Sequence, residues 1–350
     1  MKFLLQLRLS PILAAALLAG CAQNTVLGLS GTGHLNASRR AASNAYVFVT
    51  NDTQGGAAEV DYWPVGSTGN IAPTGVIAGT NTGLSYGLEG IAVNSAGEIY
   101  VVNGSTSTIL GFAPNSNGNV TPNVSIRGAS TGLVFPIGLA LDSGGNLYVA
   151  NANPHGPPSI EEFVAGSNGN IRPIKTISGS RVQFTNPSGI AVDSSGKIFL
   201  ADDALGAVFI FDNRANGNVA PIRKILGQNT HLAGAYGLSV GALGIYACTY
   251  SNPAYLERFS LTARGDALPR ASISRSNTQL NPWFDGMIVA PDGTIYVVDR
   301  GTGGGGNPPP SIVQFAGDAN GDATPMTDIT GPSTRLDIPL YVYVGTSTVN

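Results

Sequence analysis

Two acidic residues hold equivalent places in this sequence. Glu89 immediately precedes the glycine of EGIAVNSAGEIYVVN, and Asp285 precedes that of DGMIVAPDGTIYVVD. Carboxylates brought to one site can bind a divalent cation, move a proton as acid and base, or hold a polar ligand. The equivalent places elsewhere read Ile137, Ser188, Tyr236 and, at the C-terminal end, Leu340. Near these positions stand Tyr86, Trp283 and Arg300, and a further loop carries His155. Aromatic faces beside charged groups suit a sugar, a small molecule or a peptide.

Three other stretches imitate catalytic motifs and fail on context. GLSVG at 237–241 spells the nucleophile elbow, but that elbow needs a strand, a sharp turn and a helix, and here Ser239 replaces Ala191 of an ordinary strand. DANGDA at 318–323 spaces Asp318, Asn320 and Asp322 like the start of a calcium loop. It lacks the glycine at the sixth place and the distal glutamate, so it reads as a turn. GTGGGGNPPP at 301–310 has no Gly-Lys-Ser/Thr and reads as a long loop insertion.

The elements that must position Glu89 and Asp285 follow from an internal repeat. The glycines opening the apolar runs are Gly90, Gly138, Gly189, Gly237 and Gly286, spaced by 48, 51, 48 and 49 residues. Each unit reads as a strand, a Gly turn, and a second strand ending in Asn or Asp. A variable loop follows, then a third strand ending in an aromatic and a phrase of the type NSNGNVTP leading to the fourth. Four short strands per repeat of this length predict a blade of a β-propeller. The Asn-Gly of the phrase predicts a tight type I′ hairpin between third and fourth strands. The following proline is expected in the outermost strand, where an edge tolerates it. Asn51, Asn103, Asn151, Asp202 and Asp299, with Thr249 as the exception, end the second strands and are expected to close the turns that follow.

Five complete units leave a remainder at each end. The segment NAYVFVTND at 44–52 matches a second strand with no first strand before it, and IPLYVYVG at 338–345 supplies the missing one. The reading is therefore all-β: a six-bladed propeller over 44–350, closed by the C-terminal strand in the first blade. The first strands line the channel. The loops 151–159 and 299–311 lie on the rim that carries Glu89 and Asp285.

Composition narrows the class. Charged residues make up 11% of the 350, apolar residues 43%, and there are 47 glycines, which suits a turn-rich β protein and not a disordered chain. A formal net charge of −3 gives no basic footprint for nucleic acid. Residues 1–20 read as a secretory leader, with Lys2 and Arg8 before a short apolar stretch. Residues 21–43 read as a polar tether. Cys248 has no partner in the folded part and lies in the apolar run GIYACT, as a small buried hydrophobe.

Two resemblances add to this. Leu18-Ala19-Gly20-Cys21 resembles a bacterial lipobox, which implies lipidation of Cys21 as the first mature residue and an anchor in the cell envelope. Ala22 favours the outer membrane if the source is Gram-negative. PSGIAVDSSGKIFLADDALGAVFIFD at 187–212 resembles an NHL repeat, and the domain resembles six-bladed propellers of that superfamily, whose wider group includes gluconolactonase-like lactonases. That group implies a divalent cation at the channel mouth, held by a Glu, two Asn and an Asp. Glu89 and Asp285 match the Glu and Asp, whereas the Asn places fall on Ser188 and Tyr236. The reading that results is a monomeric, lipid-anchored binding module with its ligand at the rim. It carries no resident cofactor and touches the membrane only through its anchor. The alternatives are a metal-dependent lactonase-like hydrolase using a calcium, manganese or zinc ion at the same mouth, and a structural envelope protein.

Overall fold

The computed structural model of the protein describes residues 45–274, 278–281, 284–301 and 308–346. Cys21 with the leader and tether, Trp283 and the core of the glycine-rich insertion lie outside the described residues. Six four-stranded antiparallel sheets form the blades of a propeller, and helical structure among the described residues is confined to short 3-10 turns. The inner strands are Leu88–Val93, Pro136–Leu141, Pro187–Val192, Ala235–Gly241, Phe284–Val289 and Ile338–Thr346 in blades two to six and then one. The last of these pairs with Ala45–Asp52, with Val47 opposite Val344 and Val49 opposite Val342. The first blade is thus built from both ends of the domain, as expected.

Second strands such as Ile99–Asn103 are buried at every position, because both faces of a blade pack against neighbouring blades. This is why they read as continuous runs of Ile, Val and Tyr and not as alternating ones. The aromatics that end the third strands, Trp63, Phe112, Phe163, Phe211, Phe259 and Phe315, are all fully buried between blades.

Each complete inner strand carries a bulge at the same place. Leu88 pairs with Asn103 and Ile91 with Val101, so Glu89 and Gly90 together oppose Val102. Equivalent shifts follow Pro136, Pro187, Ala235 and Phe284. Such a bulge re-aims the residue before the glycine towards the channel mouth. The glycine is needed for closure, since a Cβ on Gly90 would lie 2.6 Å from the backbone N of Leu139 and 2.8 Å from the O of Ile137 in the next blade. In the first blade Leu340 holds the pre-glycine place and Tyr341 stands where the others have glycine.

The recurrent NSNGNV phrase is architecture, as expected, but it is not a type I′ hairpin. Gly118 has a positive φ of 79° and Asn117 does not, and residues 113–123 separate the third strand from the fourth. The phrase instead reaches the preceding blade. Gly118 bridges Ile77: its N donates to Val76 O at 2.6 Å, and its O accepts from Ala78 N at 3.2 Å. Asn117 Oδ1 accepts from Val76 N at 3.0 Å, and Asn119 Oδ1 from Asn81 N at 2.7 Å. Equivalent bridges join Gly169, Gly217, Gly265, Gly321 and Gly69 to their neighbouring blades. The prolines of the phrase, such as Pro122 and Pro173, sit just before the outer strands and not within them.

The Asn and Asp residues ending the second strands are buried and structural, but most bond backwards. Asn151 Oδ1 accepts from Val134 N, and its Nδ2 donates to Gly132 O. Asp202 Oδ2 accepts from Asn186 N at 3.0 Å, and Asn51 Oδ1 from the N of Asp337 and Ile338. They fasten the loop that enters the inner strand of the same blade. Asp202, through Leu205 N, Asp299, through Gly301 N, and Asn103, through Ser105 Oγ, also close the turn that follows.

Candidate functional site

The bulged inner strands bring Glu89 and Asp285 to one end of the channel together with groups from other blades. Tyr236 Oη donates to Glu89 Oε2 at 3.3 Å, across the ring from blade five to blade two. Asp285 is buried and forms an ion pair with Arg300, which follows the second strand of the same blade. The Arg300 guanidinium lies 6.0 Å from the ring centroid of Tyr250. The Tyr236 ring lies 6.1 Å from Tyr250 and 5.9 Å from the buried Tyr341. Below this cluster the channel holds a cavity of about 150 Å³, whose lining includes the side chains of Ile91, Leu139, Ile190, Leu238 and Met287.

The strand bearing Glu89 is held by blade one. Thr50 Oγ1 donates to Glu89 O at 3.0 Å, and Asp52 accepts from Gly87 N at 2.7 Å. Asp285 is held from blade five, where Cys248 Sγ donates to Asp285 O at 3.1 Å. Cys248 is fully buried, as expected, and burial pushes its thiol up to about 12.

Burial dominates the electrostatics of the mouth. It raises Glu89 to about 8, helped by the nearby charge of Asp285 and opposed by Arg300 and the Tyr236 hydroxyl. It raises Asp285 to about 7 against the pull of Arg300. Asp61, buried beside Glu59 and Arg335 in blade one, is also raised to about 8, chiefly by desolvation. The native protein keeps these protons to higher pH than the unfolded chain does. Their contribution is therefore full below pH about 4 and is lost as pH rises through about 8. Thermal unfolding between about pH 5 and pH 8 should show a falling Tm. Glu89→Gln should flatten that slope and leave the shares due to Asp61 and Asp285. An unchanged slope in the variant would mean that Glu89 ionises normally.

The other expected site residues divide. Arg300 and Tyr236 join the cluster. Ser188 is buried at the ring and donates its hydroxyl to Ala235 O at 2.9 Å, so it is occupied by the scaffold. Tyr86 is exposed on the loop entering blade two, with its carbonyl accepting from Ser105 Oγ. His155 is exposed in the rim loop of blade three. Ser239 of the false elbow is buried in an inner strand and accepts from Val289 N. Asn320, from the stretch that imitates a calcium loop, accepts from Ser272 N as part of the inter-blade clasp.

Tyr250 and Tyr341 escaped the sequence reading. Tyr341 had a signal, as the one bulky residue at a position that is otherwise glycine. Tyr250 had none beyond sharing with Arg300 the place after a second strand.

The donor set fits a hard cation poorly. Calcium takes six or more oxygens. Here one carboxylate is paired with Arg300 and the Ser188 hydroxyl is turned onto the backbone. Among the described residues no three of His, Cys, Asp and Glu are grouped to hold a metal ion.

The chain is similar in structure to a protein of unknown function from Bacteroides caccae, at 12% identity and a TM-score of 0.59, over 86% of this chain and 98% of that one. It is also similar to hydrazine synthase of Kuenenia stuttgartiensis, at 14% identity and a TM-score of 0.46, over 68% of this chain and 64% of that one. What the first of these shares with this chain is fold alone. No protein-family model matches the sequence, and no curated protein matches it. The fold leaves function to the site, because propellers host enzymes, binders and scaffolds alike.

Proposed function

We propose that the protein is a lipid-anchored, extracytoplasmic binding module of the NHL type that takes a small polar ligand at the channel mouth. The observation that carries this reading is the meeting of Glu89, Asp285, Arg300, Tyr236, Tyr250 and Tyr341 at one end of the channel. These groups come from blades one, two, five and six, and a closed ring holds them without a ligand's help, so binding need not order them. Glu89 keeps its proton near neutral pH and both donates and accepts there. Arg300 and the phenols add donors, and the tyrosine rings add flat apolar faces. Such a lining suits a ligand with several hydroxyl, amine or carboxyl groups on a ring or short chain. The anchor and the envelope location rest on the leader and on Leu18-Ala19-Gly20-Cys21. The NHL assignment rests on the repeat spacing and on the stretch 187–212.

The metal-dependent lactonase reading uses the same mouth and requires Arg300 to leave Asp285. One experiment separates the two. Thermal unfolding of the chain from residue 22 is measured in chelator, then with calcium, manganese or zinc, then with a panel of sugars, amino acids and dicarboxylates. A ligand at a hundredfold excess over Kd stabilises by about 2.7 kcal/mol. The binding reading expects a shift with an organic ligand in chelator, lost in Tyr236→Phe and Glu89→Gln. A metal-dependent shift lost in Asp285→Asn would replace it with the hydrolase. No shift with any ligand, together with envelope partners captured equally well by the mouth variants, would favour a structural protein.

A further inference from the structure

The charges of the domain are segregated along the ring. Residues 45–163 hold one basic residue, Arg127, against eight carboxylates, and residues 276–346 hold two against seven. Residues 164–275, from the outer part of blade three through blade five, hold eleven Lys and Arg against six Asp and Glu. Exposed apolar residues gather in the same stretch. Of the twelve large hydrophobic side chains exposed among the described residues, eight fall there: Val164, Ile174, Leu205, Ile222, Leu226, Leu243, Leu261 and Leu268.

The outer strand of blade four departs from the repeat. The approach to the outer strand reads PTGV, PNVS and PMTD in blades one, two and six, but PIKT and PIRK in blades three and four. Blade five reads PRAS, and Lys175 of blade three is spent within the scaffold on Glu162 and Asn213 O, so blade four alone sets an aliphatic side chain beside two consecutive basic residues.

The two features meet at the seam between blades four and five. Ile222, Arg223, Lys224, Leu226 and Arg264 line an open groove of about 700 Å³. Arg223 Nη1 donates to the carbonyls of Leu261 and Ala263, and Lys224 Nζ to Gln183 Oε1, which fixes both cations in place. The neighbouring carboxylate, Asp266, is engaged by the backbone and side chain of Asn229. The groove cannot accept an added strand readily. Gly265 already donates to Lys224 O and accepts from Leu226 N along the edge. A partner must therefore be met through side chains.

We infer that this edge is a second interaction surface, which docks on an anionic phospholipid surface. The cations of the groove take the phosphodiester headgroups, and Ile222, Leu226, Leu261 and Leu268 enter the acyl boundary. An acidic protein segment would answer the cations but leave four exposed aliphatic side chains in water, whereas a lipid surface answers both. The surface is separate from the channel mouth. It does not need the lipid on Cys21, although such an anchor would keep the domain within reach of the membrane.

The test uses the chain from residue 22, which keeps the whole ring and has no lipid, so failure of the anchor and failure of this surface are distinguishable. Sedimentation is compared with vesicles of phosphatidylcholine alone and of phosphatidylcholine mixed with phosphatidylglycerol. Binding is expected to be at least about tenfold stronger on the anionic vesicles and to fall with added salt, as exposed charges are screened. Lys224→Glu with Arg264→Glu should abolish the preference, and Leu268→Ser should weaken binding several-fold while keeping the Tm of the parent. Arg127→Glu, in blade two, should leave it unchanged. Equal binding to both vesicles, no binding to either, or a preference that survives the double variant overturns the proposal. Binding to soluble polyglutamate but not to anionic vesicles also overturns it, and makes the partner an acidic protein.

Discussion

A chain ending at residue 337 should melt at a lower temperature as a whole ring, not merely lose its last strand. Ile338–Thr346 is the inner strand of the first blade and, among the described residues, the strand that joins the two ends of the domain. Its loss uncovers one face of Ala45–Asp52 and removes Leu340, Tyr341 and Val342, all buried. Each such side chain contributes about 1.5–3 kcal/mol by burial. Their sum, on the order of 6 kcal/mol, is comparable with the net stability of about 5–15 kcal/mol of an ordinary domain. An unfolding entropy of about 2.1 cal/mol/K per residue turns this into a drop of about 10 °C for a ring of this size. Calorimetry of the truncated and full chains measures it. A truncated chain that melts with the parent would mean that the first blade stands without its inner strand.

Gly90→Ala should cost about half as much for a single methyl group. The obstacle is backbone, the N of Leu139 and the O of Ile137, which cannot rotate away like the end of a side chain. Gly90 is not among the residues with positive φ, so the cost is steric and not conformational. Relief requires the inner strands of blades two and three to separate, which loosens ring closure at the mouth. Overpacking of this kind costs about 1–3 kcal/mol and occasionally more, and the upper end is expected here because two backbone atoms are struck. Gly55→Ala is the control: its nearest neighbour would be Thr53 Oγ1 at 3.8 Å, and a change within about 0.5 kcal/mol is expected. Denaturant titration of the two variants side by side reads the difference. Equal midpoints would show that the inner strands have slack.

The two predictions rest on features of different legibility. The closing strand was readable because IPLYVYVG fits the gap before NAYVFVTND in a repeat whose order is otherwise unbroken. The glycines were readable as a period. That their open side faces the next blade's backbone was not, since this contact depends on how closely six sheets approach one axis. The NSNGNV phrase divides in the same way. Its recurrence marked it as architecture, yet local rules assigned it to a hairpin, whereas Gly118, Asn117 and Asn119 bond to residues about forty positions earlier in the neighbouring blade.

The channel mouth shows the limit most clearly. Glu89, Tyr236 and Asp285 could be placed there by counting repeats, because a bulge at a fixed point of each inner strand turns the pre-glycine residue inward. Counting could not say that Arg300 would lie on Asp285, that Ser188 would spend its hydroxyl on Ala235, or that Tyr236 would reach Glu89 across 147 residues of chain. By itself the sequence determined the number of blades, the order of strands, the place of closure and the ring of residues at the mouth, because each is written in a period of some 49 residues. The tertiary structure alone decided which members of that ring meet. Partners across a channel are set by the rotation of whole blades about a common axis, and no local pattern in the chain records that rotation.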